Sequence, residues 1–138
     1  MAVAEIVTIG TELLLGEIQD TNSRYIARFL RDIGVDLYRL STVGDNVQRI
    51  TATLQEALMR ADIVITTGGL GPTVDDPTRQ AVAKTFNVPL EFHEELWEQI
   101  LERYKQYGQK PTENNKRQAY IPANSIPIPN PVGTAPAF

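Results

Sequence analysis

The 138-residue sequence has no cysteine, one histidine and one tryptophan, and each shortage removes a class of function. Without cysteine there is no disulfide framework, thiol nucleophile or thiolate metal site, a composition suited to a reducing cytoplasm. The lone His93 has no second histidine or cysteine to complete a ligand set, and beside an expected helix start it reads as a surface or capping residue. No apolar run reaches membrane-span length, and Met1-Ala2-Val3-Ala4-Glu5 leads into an expected strand without the basic region of a signal peptide. A cytosolic protein with no membrane partner is the expectation. Basic residues are also outnumbered: 13 Lys and Arg against 17 Asp and Glu give a net charge of -4. No basic stripe of the kind that displaces counterions from nucleic acid is present, so nucleic acid is not an expected partner. Lys116 and Arg117 are the best basic candidates for a phosphate contact, with a solvated face as the equal alternative.

What the chain does have is concentrated in Thr66-Thr67-Gly68-Gly69-Leu70-Gly71-Pro72-Thr73-Val74-Asp75-Asp76-Pro77-Thr78. The preceding Ala61–Thr67 run is β-branched and apolar, as suits a central strand buried on both faces of a parallel sheet. Gly68, Gly69 and Gly71 lack Cβ atoms and can bring bare N–H groups close to a ligand oxygen. Asp76 before Pro77 reads as a helix N-cap with proline in the first helical position. Asp75 is not needed for a cap, and a second carboxylate adds repulsion that a cation would relieve. A glycine loop between a strand end and a helix start is where open α/β folds bind phosphorylated ligands.

The rest of the chain repeats the strand-to-helix pattern as one expected domain. Ala4–Ile9 reads as a first strand, followed by a glycine-bounded loop, Gly10 to Gly16, that carries Glu12. Asp20-Thr21-Asn22-Ser23 supplies caps for a helix with Ile26, Phe29, Leu30 and Ile33 inward, ended by Gly34. Val35–Val43 alternates as a second strand. Asp45 is the expected cap of the next helix, whose face is Val47, Ile50, Leu54 and Leu58. Thr78–Phe86 gives a third helix with Ala81, Val82 and Thr85 inward. Successive βα units imply right-handed parallel crossovers, helices on both faces, and Glu12, Asp45 and Asp75-Asp76 drawn toward one rim. Beyond Pro89, His93–Tyr107 carries Leu96, Trp97, Ile100, Leu101 and Tyr104 at helical spacing, with Trp97 as core or interface. A short capped helix is expected at Thr112–Arg117. Prolines at 122, 127, 129, 131 and 136 exclude a helix from the tail, where Gly133-Thr134 can present an N–H and a hydroxyl.

Taken together, Thr8 to Gly16, Asp20-Thr21-Asn22, Val43-Gly44-Asp45, Thr66 to Thr73 with Asp75 to Thr78, and Asn130-Pro131 with Gly133-Thr134-Ala135-Pro136 resemble the N-terminal domain of the CinA family. CinA is the competence/damage-inducible protein, within the wider molybdopterin-binding group of MogA and MoaB. The resemblance implies a three-layer α/β/α fold with a mostly parallel sheet. It also implies a family domain that continues past Phe138, so that 1-138 is expected to be a truncated domain with no deamidase domain after it. Asp76 and Asp45 match the group's functional aspartates. Asp75 stands where the pterin-processing proteins carry arginine, Leu70 replaces a threonine, and Ala137 stands where the family has glycine.

The departures at Asp75 and Leu70 follow the CinA branch, which is associated with divalent-metal-dependent hydrolysis of ADP-ribose to AMP and ribose 5-phosphate, whereas Ala137 departs from it. The resemblance implies Asp76 and Asp45 as catalytic residues. It implies Asp75, Asp76 and Glu12 as ligands of magnesium, manganese or cobalt. Gly68, Gly69, Gly71, Thr73, Thr78, Asn130, Gly133 and Thr134 are the expected phosphate or substrate contacts, in a homo-oligomer, dimer or trimer. The competing expectation is a non-catalytic domain binding a nucleotide or a pterin, which needs the same loop without the metal.

Overall fold

In the computed structural model, which describes residues 1–138, strand β1 (Val3–Ile9) lies between β2 (Asp36–Val43) and β3 (Ile63–Thr67) and runs parallel to both. Expectation placed the 61–67 segment at the centre; it is an edge, with Ile63 exposed and Val64 to Thr67 half-buried. The interruptions that made β1 look less buried, Glu5 and Thr8, are satisfied inside it. The Glu5 carboxylate takes a two-pronged bond from Arg60, Nε to Oε1 at 2.5 Å and one terminal nitrogen to Oε2 at 3.1 Å. That bond is the main reason the Arg60 guanidinium is raised above its ordinary pKa. The Thr8 hydroxyl lies 2.9 Å from Thr42 Oγ1 and 3.2 Å from the Ser41 carbonyl. Pairing starts at Val3 with Asp36 and slips after Ala4, passing over Tyr38, before ending at Ile9 with Val43.

Contacts group the chain into two compact units, Met1–Gly69 and Leu70–Phe138. In the first, Ala4 and Ile6 pack with Leu30, Ile26 and Ala27 of helix α2 (Thr21–Asp32). Alternation sends Glu5, Val7 and Ile9 to the other face. The connection to β2 leaves β1 in one direction and the return to β3 crosses in the other, so right-handed crossovers set α2 and α3 (Val47–Leu58) on opposite faces. This unit is therefore a three-layer α/β/α arrangement on an all-parallel sheet.

The helix faces differ from expectation in detail. Asp20 caps α2 by accepting from the Ser23 N–H at 3.0 Å, but Phe29 is 56% exposed and Ile33 is exposed beside it. The buried stripe runs through Ile26, Ala27 and Leu30, and the bulkier residues lie beyond its edge. In α3, Ala57 completes the inward face with Ile50, Thr51 and Leu54, and Leu58 is exposed.

The second unit contains α4 (Thr78–Thr85), β4 (Leu90–Phe92), α5 (Glu94–Gln106), a 3-10 helix (Glu113–Ala119) and β5 (Tyr120–Pro122), with β4 and β5 antiparallel. Its core is Leu96, Ile100, Ala119 and Ile121, edged by Trp97, Tyr104 and Phe138; Leu101 is exposed. Buried Asn115 closes the 3-10 helix: its Oδ1 accepts from the Thr112 N–H at 2.6 Å and its Nδ2 donates to the Tyr104 hydroxyl at 2.6 Å. In the tail, Ile128 and Ala137 exchange backbone bonds of 2.7 and 3.0 Å. No helix is long and apolar enough to cross a membrane.

Gly68, where β3 ends, has φ +87°, and a Cβ there would overlap the carbonyl oxygen of Ile9; Gly34 has φ +77° with open space around it. Gly34→Ala is therefore expected to cost the left-handed penalty alone, about 1 kcal/mol. Gly68→Ala is expected to cost at least about 2 kcal/mol, because strand ends must also separate. Urea unfolding of the two variants measures the difference, and equal losses would refute the Ile9 contact.

Candidate functional site

In the first unit the loops at the strands' carboxyl ends are tied to the end of β1. The Gly10 N–H donates to the Val43 carbonyl at 2.9 Å, extending the β1–β2 pairing by one step. Thr11 and Asp45 then exchange bonds: the Thr11 N–H reaches Asp45 Oδ2 at 3.2 Å, and the Asp45 N–H reaches Thr11 Oγ1 at 3.0 Å. Asp45 thus does not cap α3. Asn46 does, accepting from the Arg49 N–H at 3.0 Å. The expected glycine-bounded loop contains one helical turn, α1 (Thr11–Leu14), and the Glu12 carboxylate folds back over Gly10, where a Cβ would lie 2.7 Å from Oε1.

In the second unit, Asp76 is likewise no cap. Pro77 occupies the N-cap position of α4 with no side-chain cap bond. The Asp76 Oδ2 instead accepts from the Thr73 N–H at 2.9 Å and the Thr73 hydroxyl at 2.8 Å, closing a four-residue loop. The helix starts one residue later than the sequence pattern implies, with Pro77 in the cap position, so Asp76 lies outside it and its carboxylate bonds to the donors behind it. The carboxylate lies against Gly71, where a Cβ would come within 2.7 Å of its Cγ. Asp75 donates its N–H to Thr73 Oγ1 at 3.3 Å and leaves its carboxylate exposed. Thr73, expected as a phosphate donor, spends both its N–H and its hydroxyl hydrogen on Asp76. Thr78 is buried at the start of α4.

Sequence reasoning missed Arg79. It is 4% exposed, and it donates one terminal nitrogen to the Gly71 carbonyl at 2.9 Å and the other to the Leu70 carbonyl. Burial pushes its pKa down to about 10, against an opposing pull from Asp76, so it stays charged at neutral pH. The available signal was an arginine in the first turn of a helix, where a cation opposes the dipole and requires another reason to be present.

The tail residues form a separate constellation against α5. Asn130 organises its own loop: Oδ1 accepts from the Val132 and Gly133 N–H groups at 3.0 and 2.9 Å, and Nδ2 donates to the Ala135 carbonyl at 2.9 Å. Asn130 and the Gly133 N–H, expected as ligand contacts, are thus occupied within the loop. Arg103 and Tyr107 of the α5 end anchor it through the Asn130 and Val132 carbonyls, both at 2.9 Å. Between α5 and this loop lies a cavity of about 330 Å³, lined by Gln99, Arg103, Asn130 and Thr134 among others. Lys116 is held over the Trp97 ring at 5.8 Å and lies 3.5 Å from Glu113, so it is not the free cation expected; Arg117 is exposed. His93 sits at the α5 N-cap position without a side-chain cap bond. Glu12 belongs to the first unit and Asp75 and Asp76 to the second, and no three His, Cys, Asp or Glu side chains form a group that could hold an ion.

Comparison with known proteins places these features in context. The family model described as "Probable molybdopterin binding domain" matches residues 5–138. A competence-damage inducible protein of Halothermothrix orenii is 52% identical over 136 residues, which make up 99% of this chain and 33% of that protein. The same-named protein of Caldanaerobacter subterraneus is 48% identical over 134 residues, 97% of this chain and 32% of that one. The chain therefore spans about a third of the length of the curated relatives it matches. Among solved structures, the protein CinA of Thermoplasma acidophilum, of unknown function, is similar with TM-score 0.89 and 38% identity, over 98% of this chain and 79% of that chain. The molybdopterin biosynthesis enzyme MoaB of Thermus thermophilus is similar with TM-score 0.58 and 25% identity, over 74% of this chain and 64% of that chain.

The Thr73–Asp76 geometry makes its own prediction. In a double-mutant cycle with Thr73→Val and Asp76→Ala, the hydroxyl-to-carboxylate bond is expected to appear as a coupling of about 1 kcal/mol in chemical denaturation. Additive losses, as a helix cap at Asp76 would give, would contradict it.

Proposed function

Since the chain belongs to the molybdopterin-binding-domain family, in its competence-damage inducible CinA branch, we propose that it hydrolyses the diphosphate of ADP-ribose or a similar nucleotide diphosphate sugar. The observation that carries this reading is Asp76. It is relieved of capping, fixed by two bonds from Thr73, and set beside the exposed Asp75. Adjacent carboxylates have no structural duty here that one could not perform, and they repel each other unless a cation is shared.

The donor set suits magnesium, manganese or cobalt arriving with the substrate. Such hard ions are commonly held by one or two carboxylates together with substrate phosphates and water, without a dedicated protein cage. Asp75 and Asp76 would hold the ion, which supplies charge neutralisation on the diphosphate oxygens. The chain's own part is to orient. Thr73 keeps the Asp76 carboxylate in one direction and leaves Oδ1 outside that bond, and the Gly71 N–H can donate to a phosphate oxygen. Water adds to one phosphorus, the bridging P–O bond breaks, and AMP and ribose 5-phosphate leave with the water's proton and hydroxyl divided between them. The substitution of arginine by Asp75, relative to the pterin-processing proteins, favours this over pterin chemistry because it exchanges a phosphate-binding cation for a metal-binding anion.

Chromatography of AMP released from ADP-ribose, with magnesium, manganese or cobalt and with chelator as control, tests the proposal. Asp76→Asn is expected to lower the rate at least ~100-fold while the chain stays folded, since one oxygen still accepts from Thr73. Turnover that survives chelator or the substitution would reject the reading. Absent turnover in the unaltered chain, with metal-independent nucleotide binding, would favour the non-catalytic domain instead.

A further inference from the structure

Beneath the glycine loop of the second unit lies a charge that hydrolysis does not itself require. Arg79 is 4% exposed and its donors go to two backbone carbonyls, those of Leu70 and Gly71. Its Nε–H is buried with no acceptor. Taking a guanidinium out of water without a bonded carboxylate is costly, and an apolar side chain would fill the same volume of α4 at less expense. The depressed pKa, about 10, reflects that burial. What an apolar residue cannot do is hold carbonyls.

Holding those carbonyls fixes the loop's donors. All peptide bonds are trans, so each N–H points opposite to the C=O of its own peptide plane. The Leu70 carbonyl and the Gly71 N–H share one plane. Drawing the carbonyl inward to Arg79 turns the Gly71 N–H outward. The following plane has no N–H, because it ends in Pro72, so Gly71 is the donor that this clamp presents. Its N–H takes no part in the backbone bonding of the turns and loops. On its Cα side, Gly71 is pressed against the Asp76 carboxylate, so the same clamp that orients the donor also backs the proposed acid site.

We propose that Arg79 is the positioning residue of this loop, holding the Leu70 and Gly71 carbonyls so that the Gly71 N–H faces an oxygen of a bound phosphate or diphosphate. The inference rests on the nucleotide-binding reading above. Its test therefore reads ligand contact without using turnover.

The amide spectrum of the chain labelled with 15N-glycine, assigned by triple-resonance methods on a uniformly 13C,15N-labelled sample, is followed during titration with magnesium and the hydrolysis-resistant methylene analogue of ADP-ribose. In the unaltered chain the Gly71 amide is expected to move on saturation, while Gly34 and Gly108 report the fold. In Arg79→Met the Gly71 amide is expected to be displaced before ligand is added, its ligand-dependent movement to fall by more than half, and affinity to weaken at least about tenfold. Arg79→Lys keeps the charge and one reachable carbonyl, and is expected to recover part of the movement. If Arg79→Met loses its fold, Arg79→Lys decides: partial recovery supports the clamp, and an unchanged Gly71 response overturns it. Movement of Gly71 that persists in full in folded Arg79→Met overturns this inference and leaves the nucleotide reading standing. No movement in the unaltered chain overturns both.

Discussion

The carboxyl end of β1 is the constraint on which the first unit turns. Residues 9 to 11 meet both neighbouring strand ends: the Ile9 carbonyl excludes any side chain at Gly68, the Gly10 N–H bonds to Val43, and Thr11 exchanges bonds with Asp45. In a parallel sheet the strand ends and their loops gather on one side, and here three loops share one anchor. At mid-strand the anchor is held by the buried Glu5 carboxylate and Arg60, which follows α3. Such a pair stabilises little relative to well-packed apolar residues, but removing Arg60 would strand the buried Glu5 charge in the core. Its geometry sets the register of β1 against the helix behind it, and through β1 the position of the loops ahead.

The second unit meets a related problem by keeping opposite charges apart. Asp76 and Arg79 attract through space but make no ion pair; the carboxylate is bonded to Thr73 and the guanidinium to the Leu70 and Gly71 carbonyls. A direct pair would neutralise both and leave the glycine segment without a scaffold. Separated, each charge braces a different part of the same turn, the anion on the side of the Thr73 donors and the cation on the side of the loop carbonyls. The turn from residue 70 to residue 76 is thereby ordered by two polar side chains, although Gly71 and Pro72 lie within it.

Much of this was legible in the sequence, because the governing signals are local. The three strands, α2 with its Asp20 cap, α5, and the absence of helix in the proline-rich tail follow from periodicity, capping chemistry and the missing proline donor. What was not legible depended on partners distant in sequence. Glu5 and Thr8 look like interruptions until Arg60, Ser41 and Thr42 supply their bonds, so the sequence makes β1 look less central than β3. Asp45 and Asp76 satisfy every local rule for an N-cap. Asp45 is captured by Thr11, 34 positions away in the chain, and Asp76 by Thr73, because α4 starts one residue later with Pro77 in the cap position. Asn130 reads as a polar loop residue open to ligand, and only the three-dimensional turn shows both ends of its amide engaged within the loop.

The charge balance of the second unit bears on the nature of its ligand. A diphosphate facing Asp75 and Asp76 would be repelled unless positive charge came from elsewhere. The buried and half-buried cations of this unit that the structure ties down are committed: Arg79 to loop carbonyls, Arg103 to the Asn130 carbonyl, and Lys116 over Trp97. In the proposed reaction the compensating charge would arrive with the ligand, as in a metal–diphosphate complex. The proposed chemistry would not require a three-residue metal cluster. Two carboxylates suffice where the substrate brings the remaining oxygens, and a stronger resident cage would hold the ion after AMP and sugar phosphate had left.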